Sequence, residues 1–227
     1  MPPTSEPPVL AIFDHDGVLV DSLDLHQQSW VELGRREKLP ITADFVRETF
    51  GMTNPSIFRK LLGEEAAESD IARYGDLKEV HYRELATGQI ALMDGVRDLI
   101  DGLTRAGVLL AIGSSATRAN LELTVAESGL SGRFAAIAAL EDIRRGKPDP
   151  EVFLLAASRA GVDPARTVVF EDAPVGIRAA KAAGMLAIGV TTTTDAQALR
   201  EAGADRVVDT LAGIDADALA RELRARG

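Results

Sequence analysis

The chain has 227 residues, 46% of them hydrophobic and 26% charged, a net charge of −10 and no cysteine. That length suits one large domain, or a core with a smaller insert, in an ordinary soluble composition. An acidic balance without a Lys/Arg cluster argues against nucleic acid or an anionic membrane as the main partner, and without cysteine neither a disulfide framework nor a thiolate metal site can form.

The proline-rich residues 1–8 lack the basic region and apolar core of a secretory signal and read as a loose tail. No apolar run approaches the ~18 residues of a membrane span. The expectation is a cytoplasmic, monomeric protein.

Residues 9–13 form a short, β-rich apolar run that reads as a buried strand. It ends on Asp14, with Asp16 two residues on and Gly17 to turn the backbone. Carboxylates two apart on extended chain can face one reacting group. A calcium loop would need glycine at its sixth position, where Leu19 stands. From Ser22 the periodicity turns helical, over residues 25–38, 42–49, 55–62 and 65–86, with a turn-forming loop at 50–55.

From Asp94 helices and strands alternate. Helices over 96–106, 118–128, 150–160, 175–183 and 195–202 precede strands at 108–113, 135–138, 167–170, 186–190 and 206–208, and a last helix starts at Asp215. The 108–113 strand directly follows the 96–106 helix, and the order continues in that way. Such units imply an α/β fold, a doubly wound, mostly parallel sheet covered on both faces. The predicted organisation is a tail over 1–8, an α/β core over 9–21 and 93–227, and a helical cap over 22–92. Residues 191–194, a threonine run, read as a polar loop.

Ligands of open parallel sheets bind beyond the carboxyl ends of the strands. The predicted strands leave Asp14 and Asp16, then Ser114 and Ser115, then Glu171 and Asp172 at that edge, and the loop before the 150–160 helix adds Lys147. Each has a plainer reading: Ser114 as a helix N-cap, Lys147 as a solvated lysine, Glu171 and Asp172 as carboxylates favoured by a helix dipole. Their convergence on one edge instead assembles carboxylates, hydroxyls and an ammonium suited to Mg²⁺ and a phosphate group. Asp14 could then attack phosphorus, Lys147 and Ser114 hold its oxygens, and Asp16 shuttle the proton.

The motifs Asp14-His15-Asp16-Gly17, Ile112-Gly113-Ser114-Ser115, Gly146-Lys147-Pro148-Asp149-Pro150 and Phe170-Glu171-Asp172 occur in that order. In them the chain resembles the haloacid dehalogenase superfamily, in its phosphatase and β-phosphoglucomutase-like branch with a helical cap. The resemblance implies Asp14 as nucleophile, and Asp16 as acid/base and backbone metal ligand. It implies Ser114 and Lys147 as phosphate-holding residues, with Asp172 and Glu171 completing the Mg²⁺ site. Ser115 is the hydroxyl beside Ser114 in the second motif and is expected to help bind substrate. The cap would select the substrate, with His26 and Asn54 as candidate substrate-binding residues. His26, Trp30 and Lys78 look like β-phosphoglucomutase, whereas Asn54 stands where that enzyme's cap loop carries an arginine. The expected function is a Mg²⁺-dependent phosphatase of a small phosphorylated metabolite, a sugar or polyol phosphate. A β-phosphoglucomutase-like phosphohexomutase is the alternative, and an idle binding protein the third reading.

Overall fold

The computed structural model describes residues 6–49 and 54–226. Positions 1–5, in the predicted tail, 50–53, in the predicted loop at 50–55, and 227 lie outside them. The chain divides into two compact units, Met1–Asp21 with Ala91–Gly227, and Ser22–Ile90.

The first unit is built on six parallel strands: β1 (Leu10–Phe13), β2 (Leu109–Gly113), β3 (Ala136–Ala138), β4 (Thr167–Glu171), β5 (Leu186–Val190) and β6 (Arg206–Val208). Their spatial order is β3-β2-β1-β4-β5-β6, the doubly wound arrangement that the alternating pattern predicts. Strand β1 is central, with Phe13 paired to Ile112 of β2 on one side and Phe170 of β4 on the other. All four β1 residues are fully buried, which is why its sequence is unbroken apolar rather than alternating.

The covering helices are α5 (Val96–Arg105), α6 (Arg118–Glu127), α7 (Glu151–Ala160), α8 (Pro174–Ala182), α9 (Ala196–Glu201) and α10 (Ala216–Ala225). Val152, Phe153, Ala156 and Ala157 of α7 share one apolar cluster with Leu10 and Ile12 of β1. Alternation turns Phe13 to the other face, where its ring stacks on Phe170 at 4.9 Å. Two short 3-10 turns, Leu140–Asp142 and Pro164–Arg166, join the predicted elements.

The second unit holds four helices: α1 (Leu23–Glu37), α2 (Ala43–Glu48), α3 (Asn54–Leu62) and α4 (Glu68–Ala86). Helix α1 stops at Lys38, which takes a left-handed conformation at φ 57°, before Pro40. Trp30, Leu33, Val46, Ile57, Phe58 and Ile71 form a core of the unit's own. The unit ends at Ile90, two residues short of the predicted boundary. Asp21 N–H donates to Ala91 O at 3.1 Å and Met93 N–H to Leu19 O at 3.0 Å, so the two connecting segments are paired and Ala91 and Leu92 belong with the sheet. Among the described residues, no helix is long and apolar enough to cross a membrane.

Trp30 is the chain's single tryptophan, and its ring lies 5.0 Å from that of the fully buried Phe58. Its fluorescence therefore reports the four-helix unit alone. Phe58→Ala should lower the stability read by that fluorescence in urea by about 3–5 kcal/mol, the cost of emptying an aromatic core site. An unchanged urea midpoint would show that this cluster does not hold the unit together.

Candidate active site

Strand β1 sets Asp14 at its carboxyl end, and Asp14 N–H still donates to Phe170 O of β4 at 3.0 Å. The chain then winds around one carbonyl, His15 O, which accepts N–H bonds from Leu19 at 2.9 Å and Val20 at 3.1 Å. Gly17 lies in this turn at φ 73°, and a Cβ there would stand 2.2 Å from Asp172 Oδ2. Only glycine meets both demands.

Beside it, β4 ends on Glu171 and delivers Asp172 one residue later, both buried. The first turn of α8 presses on this carboxyl: a Cβ on Gly176 would lie 2.0 Å from Glu171 Cδ. Strands β1 and β4 are neighbours whose connections leave in opposite directions, so their carboxyl ends flank the crevice where open α/β sheets bind ligands.

Lys147 enters from the loop before α7. Its Nζ stands 2.8 Å from Asp14 Oδ1 and 2.7 Å from Glu171 Oε2, and 4.9 Å above the Phe153 ring. One oxygen each of Asp14, Glu171 and Asp172 lie within 4.8 Å of one another. With all four groups charged, the site would hold a surplus of two negative charges out of water. Burial, then the charge of Asp14, pushes the Glu171 pKa up to about 8 against the pull of Lys147. The same two causes push Asp172 up to about 6, opposed by a hydrogen bond from Thr193. Burial acts against the Lys147 charge, but Asp14 and Glu171 outweigh it and hold its pKa above the usual lysine value. An oxygen-only donor set with two excess negative charges fits a hard divalent cation such as Mg²⁺.

The remaining predicted residues are placed as follows. Ser114, buried, directly follows β2, two positions beyond Ile112 of the pair Phe13–Ile112 and on the same sheet edge, and its Oγ accepts Ala116 N–H at 3.2 Å. It is not the N-cap of α6; Thr117 holds that position because the helix begins at Arg118. Ser115 is exposed. The Asp16 carboxylate is bound by His15 Nδ1 at 3.0 Å and is not among the three clustered carboxylates.

His26 and Asn54 belong to the four-helix unit and meet there on one ion pair. Lys78 Nζ donates to His26 Nδ1 at 2.6 Å and to Glu79 Oε1 at 2.9 Å, and Asn54 Nδ2 donates to the same Glu79 oxygen at 2.9 Å. Burial would raise the Glu79 pKa, yet the positive charge beside it, Lys78 foremost, keeps it below the ordinary carboxylate value.

Sequence reasoning passed over Thr192 and Thr193. Thr192 Oγ1 donates to Gly17 O at 2.6 Å, and Thr193 Oγ1 donates to Asp172 Oδ2. The loop after β5 thus ties the turn after β1 to the end of β4. The sheet-edge rule that selected the other residues also reaches this loop, since it directly follows a strand.

A family model described as haloacid dehalogenase-like hydrolase matches residues 11–190. Validoxylamine A 7'-phosphate phosphatase of Streptomyces hygroscopicus subsp. limoneus is 32% identical over 199 residues, covering 85% of this chain and 90% of that one. A HAD hydrolase (family IA, variant 3) from Entamoeba histolytica superposes with a TM-score of 0.83 at 26% identity, over 94% of this chain and 99% of the other. CbbY from Rhodobacter sphaeroides, solved in complex with phosphate, gives a TM-score of 0.80 at 29% identity, over 91% and 96% of the two chains.

Because Glu171 and Asp172 hold protons up to about pH 8 and 6, a divalent cation must displace them. Both groups have folded-state pKa values above the ordinary carboxylate value, so affinity for Mg²⁺ should fall as pH drops from 8 to 6. The slope should approach about tenfold per pH unit for each proton displaced. Calorimetric titration of the protein with Mg²⁺ across that range checks this; a flat affinity would contradict the protonated cluster.

Proposed function

The chain belongs to the haloacid dehalogenase-like hydrolases, and on that footing we propose that it is a Mg²⁺-dependent phosphatase of a small phosphorylated metabolite, a sugar or polyol phosphate. The observation that carries this reading is Lys147 set between Asp14 and Glu171 at the strand edge. It combines a fixed carboxylate nucleophile with a buried positive charge, the pairing that transfer of a phosphoryl group demands.

Asp14 attacks phosphorus in line, forming a bond from its carboxylate oxygen while the bond to the ester oxygen breaks. Asp16 gives its proton to that leaving oxygen. Asp16 then takes a proton from water as the water oxygen attacks the aspartyl-phosphate, releasing phosphate and restoring the Asp14 carboxylate. Lys147 and Ser114, with Ser115 beside it, hold the non-bridging oxygens. Mg²⁺, held by Asp14, Glu171 and Asp172, supplies charge neutralisation between nucleophile and phosphate when bound.

Hydrolysis is favoured over isomerisation by the cap cations. A mutase must grip a second phosphate there, best with an uncommitted arginine fork. Asn54 brings no charge and donates to Glu79. Lys78 is paired with Glu79, Arg47 with Asp44 and Arg59 with Glu68. The similar phosphatase and the phosphate-bound CbbY support a phosphate ester as substrate.

Three outcomes test the proposal. Against a panel of phosphorylated sugars and polyols, phosphate release should need Mg²⁺ and stop in excess EDTA; full activity in EDTA would remove the metal from the account. Asp14→Asn should lower turnover by about 10³-fold or more with the fold intact. In the same panel β-glucose 1-phosphate, if turned over, should yield free phosphate, and phosphate-free formation of glucose 6-phosphate would establish the mutase instead.

A further inference from the structure

His15 sits between the two aspartates of the first motif, on a turn whose neighbours Phe13, Val18, Leu19 and Val20 are all buried and apolar. A histidine there is fully buried, which is unfavourable unless both ring nitrogens find partners. They do. Nδ1 lies 3.0 Å from Asp16 Oδ1, and Nε2 lies 2.7 Å from Thr124 Oγ1 of α6, a hydroxyl that is itself fully buried. One end of the ring is thus anchored in the core and the other reaches out to a carboxylate whose side chain is 39% exposed.

We infer that His15, anchored by Thr124, is a positioning residue that holds the Asp16 carboxyl in the orientation its proton transfers require. The inference rests on the acid/base role proposed for Asp16. Three features of the contact carry it. The ring is rigid and its far nitrogen is fixed on α6, 109 residues away in sequence, so it sets a direction and not merely a proximity. Asp16 belongs to a glycine-containing turn and its side chain is partly solvated, so the contact with a fixed ring narrows the rotamers it takes.

The third feature is chemical. Asp16 has to serve in two forms, a carboxylate and a carboxylic acid. Imidazole can donate from one nitrogen while accepting at the other, and a threonine hydroxyl both donates and accepts. With Asp16 ionised, Nδ1–H donates to Oδ1 and Nε2 accepts the Thr124 O–H. With Asp16 protonated, its O–H donates to Nδ1 and Nε2–H donates to Thr124 Oγ1. The tether is complete in both states, which a lysine or arginine at position 15 could not achieve because each can only donate.

The test separates positioning from general structural support by the leaving group. Phenyl phosphate needs more help from an acid than p-nitrophenyl phosphate, whose phenolate departs nearly unaided, and kcat/KM reports the step in which it departs. Full-length protein with Mg²⁺ is assayed on both esters as wild type, Asp16→Asn, His15→Phe, Thr124→Val and Thr124→Ser. The expectation is that His15→Phe and Thr124→Val lose about tenfold more on phenyl phosphate than on p-nitrophenyl phosphate, in the direction of Asp16→Asn, and that Thr124→Ser stays within about twofold of wild type. If His15→Phe does not fold, the near-isosteric Thr124→Val carries the test alone. Equal losses on both esters in the His15 and Thr124 variants, beside a selective loss in Asp16→Asn, would overturn the inference and leave the role of Asp16 standing. Equal losses in Asp16→Asn itself would instead remove that role, and the inference with it.

Discussion

The ammonium of Lys147, 2.8 Å from Asp14 and 2.7 Å from Glu171, is the interaction on which the rest of the site depends. Three carboxylates buried within 4.8 Å of one another repel, and their burial leaves that repulsion poorly screened. Lys147 supplies the only compensating charge that these contacts show. Removing one partner from a buried ion pair costs about 3–5 kcal/mol, because the other charge is then left stranded. Even with Lys147 in place, Glu171 stays pushed up to about 8, so the protein alone leaves the negative charge incompletely neutralised. That residue of unbalanced charge is the physical basis for affinity towards a divalent cation.

Topology explains why these groups meet. Asp14 and Glu171 lie 157 positions apart by their numbering, yet β1 and β4 are hydrogen-bonded neighbours, with Phe13 opposite Phe170. Their connections diverge, which opens a crevice at the one edge where both carboxyl ends are free. Small residues let the elements approach: Gly17 brings the turn after β1 against Asp172, and Gly176 brings α8 against Glu171. The threonines after β5 then fasten the arrangement from the far side, through Gly17 O and Asp172.

The fold class was legible because the central strands are short runs dominated by apolar residues and several helices carry their own boundary signals. Pro174 at the start of α8 and the aspartate caps of α9 and α10 are of that kind. The residues brought around Lys147 were legible because strand ends can be read from sequence and all parallel strands end at one edge. His15 and Thr193 were not. Each acts through a partner on another element, Thr124 on α6 and Asp172 after β4, and no local pattern announces a contact of that kind. In the four-helix unit, the sequence singled out His26, Lys78 and Asn54 but not the carboxylate that joins them; Glu79 reads as one more acidic residue on a polar helix until its burial is seen.

The central claim is that Asp14 itself carries the phosphoryl group. The most direct measurement is to incubate the Mg²⁺-loaded protein with p-nitrophenyl phosphate radiolabelled in its phosphoryl group, quench in acid within a turnover, and map the label to a peptide. The account predicts a hydroxylamine-sensitive acyl phosphate on the peptide containing Asp14, and none on any other. Label on a histidine or serine peptide, or rapid phosphate release with no labelled protein at any quench time, would contradict it.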